Sequence, residues 1–217
     1  MKFRAVVFDL DGTLVDTIED LAEAMNSVLE QCSLPVHEVE AYKYFVGNGM
    51  DNLVRRALPE KQRGDEAFVT GSLSSMREEY ARRWKDKSRP YEGIEELLDG
   101  LVGRGIKMAV LSNKPDELAK VMVAELLTRW HFEAVAGESP LMPRKPDPAG
   151  ALQIARRLGL PPAEFLYVGD SATDMLTANG AGMYAVGALW GFRKADELLA
   201  AGAKVLVAKP EEILSLM

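Results

Sequence analysis

Behind the apolar run AVVF near the start of the chain stand Asp9, Asp11, Gly12, Thr13 and Asp16, in the stretch VVFDLDGTLVDT. Two carboxylates two residues apart at the end of a buried strand repel each other, and a cation is the simplest chemistry that removes the repulsion. A calcium loop is excluded by the count. With Asp9 as its first position, the places that require glycine and glutamate hold Leu14 and Asp20, and the glycine comes two residues early. Polar residues end later apolar runs as well: Ser112 and Asn113 after IKMAVL, Asp170 and Asp174 in GDSATD after EFLYV, and Lys145 in the loop PRKPDP. Taken singly, each has a plain explanation as a turn residue, a cap or a solvated lysine, and Asp16 and Asp147 are read as caps. Taken together, Asp9, Asp170 and Asp174 are hard oxygen ligands suited to Mg²⁺, with positions left for water and a substrate oxygen. Phosphate is then the natural guest, since Lys145, the Ser112 hydroxyl and backbone N–H groups around Gly12 and Thr13 can bind a dianion beside the metal. A carboxylate can also attack phosphorus and hold it as an aspartyl-phosphate.

These residues act together only if the chain brings several strand ends to one rim. The runs AVVFDL, IKMAVLSN, FEAVAGE, EFLYVGD, MYAVGAL and AKVLVA read as strands buried on both faces. Between them lie helical spacings, as in Ile94, Leu97, Leu98 and Leu101, or Ala151, Ile154, Ala155 and Leu158. Gly105 and Gly159 sit where left-handed caps are wanted, and Pro115 opens a helix. The alternation predicts an α/β fold with a mostly parallel sheet, in which ligands bind beyond the carboxyl ends of the strands. From Asp16 to Lys87 the rhythm breaks into helical patterns alone. The expected organisation is therefore a catalytic core of residues 1–15 and 88–217, with a helical domain of residues 16–87 inserted after the first strand. Asp16 or Thr17 is the expected N-cap on entry and KSRPYEG the turn on return, and an insert leaving that strand end is expected to sit over the rim as a lid.

The ordered set DLDGT, LSN, RKPDP and GDSATD resembles the four-motif signature of the haloacid dehalogenase superfamily of phosphohydrolases. The resemblance implies a Rossmann-like parallel-sheet core with a cap of the four-helix type. It implies Asp9 as nucleophile and metal ligand, and Asp11 as the group that protonates the leaving oxygen, activates water and offers its main-chain carbonyl to the metal. Ser112 and Lys145 would hold phosphoryl oxygens, Asp170 and Asp174 would complete a Mg²⁺ site, and Gly12, Thr13 and Asn113 would lie against the substrate. The acid at Asp11 favours phosphoryl transfer over dehalogenation. Leu21 stands where related sugar phosphomutases carry a histidine, and the segment Thr17 to Cys32 lacks the lysine that phosphonoacetaldehyde hydrolases need. KYFVGNGMDNLVRRAL, SNKPDELA and RKPDP are similar to the phosphoglycolate phosphatase group. By that similarity Gly47, Asn48 and Gly49 face the substrate, and Arg55 (or Arg56) meets a carboxylate. The same residues also read as an interhelical turn and a solvated arginine face, and Trp190 as packing.

Composition narrows the partners. A net charge of −7 repels nucleic acid and anionic lipid, which leaves a small phosphorylated metabolite as the expected partner, for a monomer or homodimer. One cysteine, Cys32, fits a reducing compartment and a cytoplasmic location. The expected activity is Mg²⁺-dependent hydrolysis of a small phosphate monoester, 2-phosphoglycolate first. The alternatives are a pyrophosphatase, nucleotidase or sugar-phosphate phosphatase, then a phosphomutase or a silent binding protein.

Overall fold

The computed structural model describes residues 3–140 and 142–217. In chain order the elements are β1 (Ala5–Phe8), β2 (Val15–Asp16), α1 (Ile18–Gln31), α2 (Val39–Phe45), α3 (Met50–Ala57), α4 (Glu60–Arg63), α5 (Glu66–Arg83) and β3 (Arg89–Pro90). They continue with α6 (Ile94–Gly103), β4 (Lys107–Pro115), α7 (Asp116–Leu126), β5 (Ala134–Glu138), α8 (Ala149–Leu158), β6 (Phe165–Gly169), α9 (Ala172–Ala181), β7 (Tyr184–Ala188), α10 (Ala195–Ala200) and β8 (Val205–Val207). Two compact units result, Met1–Val15 with Pro90–Met217, and Asp16–Arg89.

The first unit is a parallel sheet in the order β5-β4-β1-β6-β7-β8. From the central β1 the chain winds outward to β4 and β5, then returns to β6 on the other side and winds out to β8. The winding direction thus reverses beside β1, where α/β sheets bind ligands. Expectation and structure agree for the inner strands. Ala5, Val6, Val7 and Phe8 are fully buried, as are Phe165, Leu166, Tyr167 and Val168. The edge strands β5 and β8 depart from the expected two-sided burial, since most of their residues are only partly covered. An edge strand has one paired neighbour and half the lateral cover. Ile154, Leu158, Met175 and Ala178, from α8 and α9, pack with Phe165 and Tyr167 in one apolar cluster.

The helical unit has four helices of seven residues or more, and the single turn α4. Leu21, Met25, Val28 and Leu29 of α1 and Met76 and Tyr80 of α5 form its buried interior. Thr17 occupies the N-cap of α1 without a capping side-chain bond; Asp16 instead accepts from the Ile18 N–H at 3.4 Å. The return is held by a residue that sequence reasoning passed over. Asp20, fully buried on α1, accepts from the Ser88 N–H (2.8 Å), the Ser88 hydroxyl (2.7 Å) and the Lys87 N–H (3.1 Å). Ser88 and Arg89 accordingly fall with the helical unit rather than with the core that was expected to resume at residue 88.

Candidate active site

The register of β1 with both neighbours brings the site together. Phe8 lies opposite Val110 of β4 and Val168 of β6, so the residues following these three positions emerge along one edge of the sheet. The Asp9 N–H continues the ladder by donating to the Val168 carbonyl at 2.9 Å. Beyond Asp9 the chain folds tightly on itself, with the N–H groups of Leu14 and Val15 both donating to the Leu10 carbonyl at 3.0 Å. Gly12 takes φ +82° in this loop, and a Cβ there would run into the Asp170 carboxylate. Positive φ and close approach both require glycine.

Asp9, Asp170 and Asp174 come together, each buried, with one carboxylate oxygen of each within 4.8 Å of the others. Lys145, also buried, bridges two of them, its Nζ lying 2.8 Å from Asp9 Oδ1 and 2.7 Å from Asp174 Oδ1. Burial disfavours the ammonium of Lys145, yet Asp174 and Asp9 outweigh it and hold its pKa well above that of a free lysine. Burial, reinforced by the Asp174 carboxylate, raises Asp9 well above the ordinary carboxylate range against the pull of Lys145. The same two causes push Asp170 up to about 7. Three crowded carboxylates facing one bridging ammonium lack positive charge, and their hard oxygens fit a divalent cation that prefers oxygen ligands.

Supports surround this cluster. Asp170 accepts from the Thr13 hydroxyl (3.3 Å) and from the Phe192 N–H (2.7 Å). Asp174, at the third position of α9, accepts from both the N–H (3.1 Å) and the hydroxyl (2.6 Å) of Ser171. It thereby caps its own helix while one oxygen meets Lys145. Asn113 and Lys145 exchange hydrogen bonds, the Asn113 amide donating to the Lys145 carbonyl at 3.0 Å and its oxygen accepting from the Lys145 N–H at 2.8 Å. The side chain expected against the substrate thus fixes the main chain of the lysine loop. Ser112 and Asn113 lie inside β4, as the run IKMAVLSN implied, and past an irregularity between Leu111 and Pro115 the strand continues to Pro115. The Ser112 hydroxyl accepts from the Lys114 N–H at 3.2 Å.

One support, Lys114, was missed by sequence reasoning, and in a second, the loop after β7, only Trp190 was read, as packing. Lys114, buried on β4, reaches Asp11 Oδ1 at 2.8 Å and Oδ2 at 3.1 Å. Its signal was the lysine directly after the Ser112–Asn113 pair. The loop after β7 grips the site at three points. Trp190 donates its indole N–H to the Thr13 carbonyl at 2.9 Å, Phe192 meets Asp170 as above, and a Cβ on Gly191 would collide with Asp170 and with the Gly12 carbonyl. A glycine between two aromatics, in the sequence WGF, was the visible sign.

Gly47, Asn48, Gly49 and Arg55 belong to the helical unit. Gly47 (φ +110°) and Gly49 (φ +88°) build the turn between α2 and α3, and the Asn48 carbonyl accepts from the Asn52 amide at 2.8 Å. Arg55 makes a two-point ion pair with Glu66, at 3.0 and 2.6 Å.

A family model described as haloacid dehalogenase-like hydrolase matches residues 6–188. The chain belongs to that family. It is 34% identical over 192 residues to the phosphoglycolate phosphatase of Pseudomonas putida, covering 87% of this chain and 70% of that protein. With the phosphoglycolate phosphatase of Chromobacterium violaceum the identity is 34% over 216 residues, 99% of this chain and 96% of the other. A crystal structure from Lactobacillus delbrueckii subsp. bulgaricus, of a protein provisionally called a phosphoglycolate phosphatase, superposes with a TM-score of 0.92 at 33% identity. It covers 100% of this chain and 98% of its own. This haloacid dehalogenase-like chain has no helix, among the described residues, long and apolar enough to cross a membrane.

Proposed function

We propose that this phosphatase uses Mg²⁺ and an aspartyl-phosphate at Asp9 to hydrolyse 2-phosphoglycolate to glycolate and phosphate. The observation that carries the mechanism is the buried Asp9–Asp170–Asp174 cluster bridged by Lys145. The choice of substrate follows the name shared by relatives that align along nearly the whole chain. A small phosphorylated metabolite as partner and a cytoplasmic setting go with this reading.

In the proposed reaction a carboxylate oxygen of Asp9 attacks phosphorus, and the ester P–O bond breaks as the new O–P bond forms. Asp11 gives its proton to the departing oxygen, releasing glycolate. The Asp11 carboxylate then takes a proton from a water whose oxygen attacks phosphorus. The Asp9–phosphorus bond breaks, inorganic phosphate leaves, and both aspartates return to their starting forms. Lys145 and Ser112 hold phosphoryl oxygens, and Asn113 keeps the Lys145 main chain in place while they do so. Asp9, the Asp11 carbonyl, Asp170 and Asp174 would hold Mg²⁺, which when bound supplies positive charge to the phosphoryl group and to the crowded carboxylates. The N–H groups of Gly12 and Thr13, expected against the dianion, instead donate to the Val15 carbonyl (3.0 Å) and the Leu10 carbonyl (3.3 Å), so these two residues serve the site by holding the shape of the loop after β1. In the helical unit, Gly47, Asn48 and Gly49 are assigned to substrate discrimination.

The test is turnover of a panel of phosphate esters, pyrophosphate and nucleotides with and without Mg²⁺, together with mass spectrometry of quenched protein. Preference for 2-phosphoglycolate and a phosphate on Asp9 are expected. Asp9→Asn should stay folded and lose at least about a thousandfold in kcat, because an amide is a poor nucleophile of nearly the same shape. Phosphate on another residue would overturn the mechanism, and a preference for another ester would overturn only the substrate.

A further inference from the structure

Resting on the role of Asp11 proposed above, we propose that Lys114 is a positioning residue for that carboxyl, aiming it at the leaving-group oxygen. Lys114 has a side chain only 3% exposed, and its Nζ grips both oxygens of Asp11, whose own side chain is 13% exposed. A buried ammonium this close to one carboxylate fixes its plane and its χ angles, because swinging either group away strands a charge out of water. Lys114 is itself fixed. Its N–H donates to the Ser112 hydroxyl, and it stands on β4, in the sheet directly beside β1, whose following loop carries Asp11. The grip is unequal, 2.8 Å to Oδ1 and 3.1 Å to Oδ2. Both oxygens are thus held, Oδ1 the more closely, which leaves the Asp11 carboxyl one plane in which to face the departing oxygen. Lys145, the other buried lysine among the described residues of this unit, is bound to Asp9 and Asp174, so the two cations serve different carboxylates.

This role is distinguishable from a general contribution to folding by the chemistry of the leaving group. An alkoxide must be protonated as it departs, whereas 4-nitrophenolate leaves without help. In Lys114→Met, kcat/KM for 2-phosphoglycolate and for ethyl phosphate should fall about a hundredfold further than for 4-nitrophenyl phosphate, the lower end of what general acid catalysis contributes. Lys114→Arg should recover part of the loss. In an Asp11→Asn background, adding Lys114→Met should leave the ratio of alkyl to aryl rates unchanged, since a residue acting through Asp11 has nothing left to position. The double variant also strands no charge, and so keeps the test open if Lys114→Met alone does not fold. Equal loss on all three substrates, or a further fall in the ratio in the Asp11→Asn background, would overturn the proposal. Loss confined to 2-phosphoglycolate would also overturn it, assigning Lys114 to the substrate carboxylate. Failure of the underlying reading looks different: Asp11→Asn would then leave the alkyl-to-aryl ratio of the wild type intact.

Discussion

Lys145 Nζ lies 2.7 Å from Asp174 Oδ1, and the same nitrogen lies 2.8 Å from Asp9 Oδ1. One ammonium thus ties the carboxylate after β1 to the carboxylate in the first turn of α9. Lys145→Met would leave both acids buried without their cation. Breaking such a pair from one side costs about 3–5 kcal/mol, and a urea titration of metal-free protein should show a loss of that order. Mg²⁺ should return part of it by binding the same oxygens, at about 2.7 kcal/mol for a concentration one hundred times its Kd. A variant as stable as wild type without metal would contradict this account of the cluster.

Asp170 should make cation binding depend on pH. Burial first, then Asp174, raises its carboxyl to about 7 in the metal-free fold, above the value of an unfolded chain. A group raised in this way contributes stability that is full below its unfolded value and is lost as pH rises through its folded value. The metal-free protein should therefore lose stability from about pH 4 to about pH 7 through this group. A cation needs the carboxylate, so binding should release a proton below pH 7, and the rise in Tm caused by Mg²⁺ should grow from pH 5.5 to 7.5. Calorimetry in buffers of different ionisation enthalpy reads the proton directly. A Mg²⁺ increment that shrinks over this range would contradict the assignment.

Gly191 is packed where a Cβ would collide with Asp170 and the Gly12 carbonyl. Gly191→Ala should push the loop after β7 away from both, loosening the Phe192–Asp170 bond. A shift of about 1 Å at a catalytic group can cost on the order of a hundredfold in rate. The expected outcome is a drop in kcat of that order with weaker Mg²⁺ binding. Trp190→Phe, which removes one hydrogen bond to Thr13, should cost only about 1 kcal/mol of stability. Unchanged kinetics in Gly191→Ala would show that the loop does not hold the site.

Arg55 separates two uses of a surface arginine. Its guanidinium is already committed to Glu66 at two points. That engagement predicts that Arg55→Ala changes KM for 2-phosphoglycolate and for 4-nitrophenyl phosphate by the same factor. A selective rise for 2-phosphoglycolate, the one with a carboxylate, would instead assign Arg55 to the substrate.

Much of this protein was legible before any coordinates. The apolar runs AVVF and FLYVG specify strands because only a doubly covered strand buries so short and continuous a stretch, and the polar residues after them therefore had to meet at strand ends. Asp9, Asp170 and Asp174 could be named on that ground and Lys145 by its place in the loop PRKPDP, and they do converge. The two-residue carboxylate spacing after β1 also signalled a need for positive charge. Tertiary structure alone decided who supplies it and to whom. Lys114 and Lys145 are both lysines near motif residues, but Lys114 answers Asp11, 103 residues away, while Lys145 answers Asp9 and Asp174. Asp20 closes the helical unit on Ser88, and Gly191 approaches Asp170, by contacts with no period or local spacing to announce them. Periodicity reports what a residue does for its own helix or strand. A partner a hundred residues away is chosen by strand order and register, which exist only once the sheet has formed.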